Sequence, residues 1–413
     1  MKILVVVDSI NIEDSSGSKA NVALIHNLAE AGFEVLVYHY TLKDIQLLGV
    51  SCYAIPEIKY SPLYFLSRLQ RVLARKLNWN LMPFLEKRFG FSFTFFNDTN
   101  SIINTLQNLT FQPDLVLTLS KGSSFRPHYA LLKIPQLHDK WMAYVHDPYP
   151  FHYYPRPYGY VEPGYNKKEI FFRQVSEKAK YSAFPSQLLL EWMGGYFSGF
   201  LKTGVVIPHQ NATYNLENTT LSDYFDASKF NVLHAGNLMA GRSPQGLIEG
   251  FQLFLEKNPK ANKESKLLLL GPSSNHAKKV AEYQQKCPEL YVHNGSAPFD
   301  LVYHLQMSVS VNVILESKSE ISPFLPAKFP HCVAANRPIL SLAPYYSETR
   351  RLLGDKYPYW SEVDDVEKIA FLIGGLYHLW KQDPDNLLLN RKDLVDYLSA
   401  DYLKKILIGL QNN

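Results

Sequence analysis

The residues best suited to chemistry stand together between His234 and Leu247, in the order His-Ala-Gly-Asn-Leu-Met-Ala-Gly-Arg-Ser-Pro-Gln-Gly-Leu. An apolar run ends there, Gly236 and Gly241 let a backbone come close to a ligand, Arg242 adds a permanent cation, and a helical pattern begins. Backbone N–H groups at a helix start favour an anion, and a guanidinium adds charge-assisted bonds. The chemistry implied is phosphate binding. The same residues also make an ordinary strand-to-helix loop whose glycines only turn the chain. A second segment runs from Glu316 to Leu340: a polar loop after an apolar run, a short helix, then Pro338 and another apolar run. Lys328 falls near the start of that helix, beside a strand's carboxyl end, where a lysine serves an anion better than a solvated one does. Gly271-Pro272 and His293-Asn294-Gly295 turn the chain after two more apolar runs.

The first half offers a different set. Ser15-Ser16-Gly17-Ser18-Lys19 follows Asp8 and reads either as a loop approaching a ligand, through Gly17 and Ser18, or as a turn with an N-cap serine. His146-Asp147 closes an apolar run at its carboxyl end, where open α/β sheets bind ligands. The next loop carries Tyr149, Phe151, Tyr153, Tyr154, Tyr158, Tyr160 and Tyr165 among prolines and glycines. Aromatic faces stack on sugars and phenol hydroxyls bond their rims, although such a loop also packs on itself. Within residues 61–99, Arg68, Arg71 and Arg75 share one helical face and Leu66, Leu69, Leu73 and Leu77 the other, with Trp79 and several phenylalanines following. That pattern suits a membrane interface; the alternative is a helix packing its leucines on its own domain.

Strand and helix patterns alternate along the chain, which implies parallel sheets with crossover helices. Ile3–Val7, the helical recurrence of Leu24, Ile25 and Leu28 closed by Gly32, and Phe33–Tyr38 form one βαβ unit. Further strands are expected at 50–54, 115–119, 142–145 and 181–183, and in the second half at 231–234, 266–270, 309–315 and 338–342. At 413 residues the chain is long enough for two cores. The expected divisions are 1–205, 206–390, and a C-terminal helix within 391–413 packing back on the first domain. The net charge of +4 does not point to nucleic acid. Three scattered cysteines show no zinc spacing and suit a reducing, cytoplasmic setting. No apolar run approaches a membrane span.

The two segments of the second half resemble the donor-binding half of GT-B glycosyltransferases, in particular the retaining family 4. Gly236 and Leu238 match that family's Gly-Arg-Leu, Asn237 stands at its arginine and Arg242 at its lysine, the two cations that hold the donor diphosphate. The family's pair of glutamates is replaced by Pro323 and His331. Pro326-Ala327-Lys328-Phe329 through Arg337-Pro338 follows a subgroup motif, with His331 for glutamate and Asn336 for glycine. Glu316 and Glu320 lie upstream in the same loop; each reads either as the missing carboxylate or as a solvated loop acid.

The resemblance implies an α/β chain of GT-B type, two Rossmann-like domains facing across a cleft. It implies sugar transfer from a nucleotide sugar to a glycan or lipid-linked acceptor, with retention and without a metal or other cofactor. Catalytic roles would fall to His146 (donor sugar), Asp147 (acceptor side), Arg242 and Lys328. The nucleotide sugar would meet Gly17, Ser18, Gly236, Asn237, Arg242, Gly271, Pro272, Asn294, Lys328 and His331. Membrane contact through residues 61–99 would be peripheral, at the inner face. The rival readings are a non-catalytic scaffold of the same fold and a sugar-nucleotide epimerase.

Overall fold

The computed structural model describes residues 1–212, 221, 223–293 and 295–411. They divide into two compact units, Met1–Tyr154 with Tyr158–Gln210 and Ser399–Asn413, and Pro155–Pro157 with Asn211–Leu398.

The first unit is built on seven parallel strands: β1 Lys2–Val7, β2 Glu34–His39, β3 Ser51–Ala54, β4 Leu115–Leu119, β5 Trp141–Tyr144, β6 Tyr181–Phe184 and β7 Gly204–Val206. Their order is β3-β2-β1-β4-β5-β6-β7. β1 is paired along both edges, by β2 and β4, and helices cover both its faces, which is why it reads as an unbroken apolar run. Ile3, Val5 and Val7 point to one core, with Leu24, Ile25 and Leu28 of helix Ser16–Glu30. Leu4 and Val6 point to the other, with Phe95 and Ile102 of helix Phe93–Gln107 and an aromatic group around Phe125, Tyr149 and Phe172. Helix Ser16–Glu30 starts where the Ser15 side chain accepts from Ser18 N at 3.1 Å. It ends before Gly32, whose φ of +86° suits glycine alone among ordinary residues.

The second unit has a six-stranded parallel sheet: β8 Phe230–Ala235, β9 Ser265–Leu270, β10 Leu290–His293, β11 Val311–Leu315, β13 Ile339–Leu342 and β15 Trp360–Ser361. The short strands β12 Ile321–Ser322 and β14 Tyr346–Ser347 pair beside it. The main order is β10-β9-β8-β11-β13-β15. Side chains again alternate. Val232, Leu267, Leu269 and Val313 meet helices Gln245–Lys257 and Val366–Gln382 on one face. Leu233, Leu268 and Leu270 meet helix Phe299–Ser308 on the other.

Two expectations change. The C-terminal helix expected within 391–413 is two helices, Lys392–Tyr397 and Ala400–Gln411. Leu394 joins Phe329 and Cys332 in the second unit, whereas Leu403 and Leu407 join Ile3 and Val5 in the first. The break lets each apolar group serve a different core. Within 61–99, helix Pro62–Leu77 buries Ser67 and Gln70, while Phe65, Leu66, Leu69, Val72 and Leu77 are exposed. Its leucine face does not pack on the domain.

Leu403 is 1% exposed. Leu403→Ala should therefore destabilise the first unit by about 2–4 kcal/mol in denaturant unfolding. An unchanged midpoint would show that helix Ala400–Gln411 contributes nothing to that core.

Candidate functional site

Parallel sheets leave a ligand crevice at their carboxyl edge where strand order reverses. In the second unit this is between β8 and β11. The loops after β8 and β9 are clamped there: Gly236 N donates to Leu270 O at 2.7 Å and Leu238 N to Pro272 O at 2.9 Å. Gly271 has φ +136°, and a Cβ on it would lie 2.4 Å from Gly236 O. Only glycine permits this approach. A Cβ on Gly236 would lie 2.7 Å from Lys328 Nζ, so this glycine makes room for the ammonium group itself.

Arg242 closes the loop. Its N–H donates to Met239 O at 2.8 Å and its Nη1 to Asn237 O at 3.2 Å, while its buried Nε has no protein partner. Asn237 thus takes part through its carbonyl, with an exposed side chain. Helix Gln245–Lys257 begins directly afterwards without a side-chain cap. Lys328 Nζ lies 3.4 Å from His234 Nδ1. Burial and the nearby Arg242 pull the Lys328 ammonium down to about 7, against Cys332 and Glu316. Glu316, at the end of β11, is 3% exposed. It is not a solvated loop acid, and burial pushes it up to about 6. One of its oxygens accepts from Ser322 and the other from Thr349 at 2.7 Å, so it ties its loop to helix Glu348–Leu353. Glu320 is exposed.

His331 is buried, its ring 5.4 Å from that of Phe299 and 5.5 Å from that of Tyr303. Asn336 stands where the resembled motif has glycine, and its φ is +50°. Asparagine tolerates this conformation better than most residues, and its side chain accepts from Asn390 N at 2.9 Å. Asn294 lies outside the described residues.

In the first unit the reversal falls between β1 and β4. Asp8 ends β1 buried. It accepts from Lys121 N at 3.1 Å and from Ser124, and its other oxygen lies 3.6 Å from Arg126. Burial raises its carboxyl even so. Arg126 also meets Asp98 at 2.9 Å, and Asp98 accepts from Tyr40. Gly17 lies against this loop: a Cβ on it would be 3.6 Å from Gly122 N. The Ser18 hydroxyl is buried and 3.1 Å from Ser15 Oγ, while the Ser18 N–H makes the capping bond to the same Oγ. His146 and Asp147 follow β5. Both ring nitrogens of His146 are buried without a protein partner, and its ring stacks 5.8 Å from His209. Burial, with His209 and His128, keeps His146 neutral, and burial pushes Asp147 up to about 6. The aromatic loop is largely packed: Tyr149 is fully buried and Tyr153 stacks 4.0 Å from Tyr196, while Tyr160 is exposed.

The structure brings Gly236, Asn237, Arg242, Gly271, Pro272 and Lys328 together in the second unit. It places Gly17 and Ser18 in the first turn of helix Ser16–Glu30 and His146 and Asp147 on the loop after β5, and sets His331 among aromatic rings. The partnership of Asp8 with Arg126 and the seat of Lys328 on His234 were missed by sequence reasoning. Each joins residues far apart in the chain, and no local pattern signals either.

No protein-family model matches the sequence, and no curated protein matches it. Solved structures do. The *Anabaena* protein HepE, in complex with UDP and glucose, is 10% identical with a TM-score of 0.61, covering 100% of this chain and 99% of its own. The trehalose-6-phosphate synthase OtsA is 11% identical with a TM-score of 0.64, covering 99% and 98%. Sucrose-phosphate synthase from *Thermosynechococcus elongatus* is 14% identical with a TM-score of 0.61, covering 100% and 98%. These likenesses span both units and show the fold: the chain has the GT-B fold, with two Rossmann-like α/β domains.

The two glycines separate stability from binding. Gly271→Ala should cost about 2 kcal/mol or more, because its Cβ meets backbone. Gly236→Ala should leave the thermal midpoint nearly unchanged, because the Lys328 side chain can swing away, but should weaken anion binding. Equal midpoints for the two variants would refute the distinction.

Proposed function

We propose that this protein transfers a sugar from a nucleotide-sugar donor to a glycan or lipid-linked acceptor. The observation that carries the reading is the Gly236–Arg242–Lys328 cradle at the carboxyl edge of the second sheet, in a chain of GT-B fold. A departing nucleoside diphosphate needs cations at the oxygens where charge develops. Arg242 supplies a permanent one with a buried, unpartnered Nε, and Lys328 supplies one whose charge an arriving diphosphate would restore. This assignment asks nothing of a metal. The backbones of Gly236, Asn237, Gly271 and Pro272 border the same place, and Asn294 and His331 are assigned to the nucleotide by resemblance alone.

In this reading His146 contacts the transferred sugar as a neutral ring, and Asp147 serves the acceptor side. Retention follows if the leaving phosphate takes the acceptor proton, and no separate base is then required. Gly17 and Ser18, in the first turn of helix Ser16–Glu30, are assigned to the donor by resemblance alone. The lack of carboxylates at Pro323 and His331 favours the rival, a non-catalytic binding protein. Calorimetry with UDP- and GDP-linked sugars separates the two: absence of binding supports the scaffold, and binding with turnover supports the enzyme. Arg242→Ala should lower transfer about 100- to 1,000-fold; unchanged turnover would refute its role.

We also propose peripheral membrane contact through residues 61–99. No helix of the described residues is long and apolar enough to cross a membrane. Helix Pro62–Leu77, however, exposes Phe65, Leu66, Leu69 and Val72 beside Arg68 and Arg75, an arrangement suited to an anionic interface. The protein should co-float with anionic liposomes, and Leu66→Asp with Leu69→Asp should abolish this. Wild-type protein that stays at the bottom of the gradient would sink the proposal.

A further inference from the structure

His234 is fully buried at the end of β8, and its Nε2 has no partner in the protein. Such a nitrogen costs stability unless something repays it. Its Nδ1 lies 3.3 Å from Val313 O and 3.4 Å from Lys328 Nζ. The ring also borders the gap left by glycine at 236, since a Cβ there would lie 3.5 Å from Nε2 and 2.7 Å from Lys328 Nζ.

An ammonium only donates and a carbonyl only accepts, so the two contacts at Nδ1 ask for opposite ring tautomers: Val313 O needs the proton on Nδ1, whereas Lys328 needs the lone pair on Nδ1 and the ring proton on Nε2. We infer that His234 is a positioning residue for Lys328: its neutral ring accepts a hydrogen bond from the ammonium at Nδ1 and turns Nε2–H toward the gap beside Gly236. This rests on the donor site proposed above. The other groups facing Lys328 are Arg242 from the loop after β8, Glu316 at the end of β11, and Cys332 one turn further along its own helix. Arg242 repels the ammonium; Glu316 and Cys332 favour it. Burial and the two neighbouring cations hold His234 itself neutral. A neutral acceptor stabilises the charged form of lysine and so raises its pKa. Without it, Lys328 would lose its proton at lower pH and hold an anion less well at higher pH.

The test compares His234→Phe, which removes both nitrogens, with His234→Asn, whose amide oxygen can take the place of Nδ1. In ligand-free protein, competitive acetylation of Lys328 across pH, read by mass spectrometry, gives its midpoint. The phenylalanine variant should lower that midpoint by about one unit, and the asparagine variant should leave it within a few tenths. Binding of UDP- or GDP-linked hexoses, whose diphosphate does not titrate in this range, should be about tenfold weaker for the phenylalanine variant near pH 8 and recover near pH 6. An unchanged midpoint, a loss equal at all pH values, or an asparagine variant as impaired as phenylalanine would overturn the inference. Wild-type protein that binds no nucleotide sugar, yet shows the midpoint shift, supports the pairing and overturns the donor reading. A measurement on wild-type protein needs no variant to fold: ¹⁵N-histidine spectra should show His234 protonated at Nε2, and protonation at Nδ1 would overturn the inference.

Discussion

The second unit depends on seating a half-buried lysine ammonium beside two backbone loops. A buried cation is costly, and Lys328 meets that cost with a neutral imidazole, a distant carboxylate and a gap where no side chain stands. The gap exists because position 236 is glycine. The two loops meet because position 271 is glycine as well. The cradle is therefore set by the absence of side chains as much as by their presence. An arriving diphosphate would complete it by restoring charge to Lys328 and engaging the free Nε of Arg242.

The first unit solves the same topological problem differently. At its strand-order reversal the carboxyl edge holds an acid, Asp8, tied to Lys121, Ser124 and Arg126. Those bonds bind the loop after β4 to the end of β1, and Gly17 lies against that loop. His146 stands on the neighbouring strand with no protein partner for either nitrogen. One fold, repeated within the chain, thus gathers ionisable groups at each strand-order reversal: Asp8 with Arg126 in the first unit, and Lys328 with Arg242 and Glu316 in the second.

Much of this was legible along the chain. Continuous apolar runs marked β1 and β9 because strands covered on both faces carry no alternation. Glycine and arginine after His234 marked the clamped loop after β8 because backbone approach and charge are local properties. The C-terminal segment was read as one helix because its periodicity continues across the break; only the division of its apolar residues between two cores separates Leu394 from Leu403. Glu316 read as a loop acid because burial cannot be seen from its neighbours.

By itself the sequence determined the alternation of strands and helices, the glycines at 236 and 271, and the cations at 242 and 328, since each is a matter of residue type and short spacing. Only the tertiary structure decided which side chains meet. It seated Lys328 on His234, tied Glu316 to Thr349 and left Leu66, Leu69 and Leu77 of helix Pro62–Leu77 exposed. The physical reason is that desolvation and hydrogen bonding act through space, between strands that crossover helices bring side by side from distant parts of the chain.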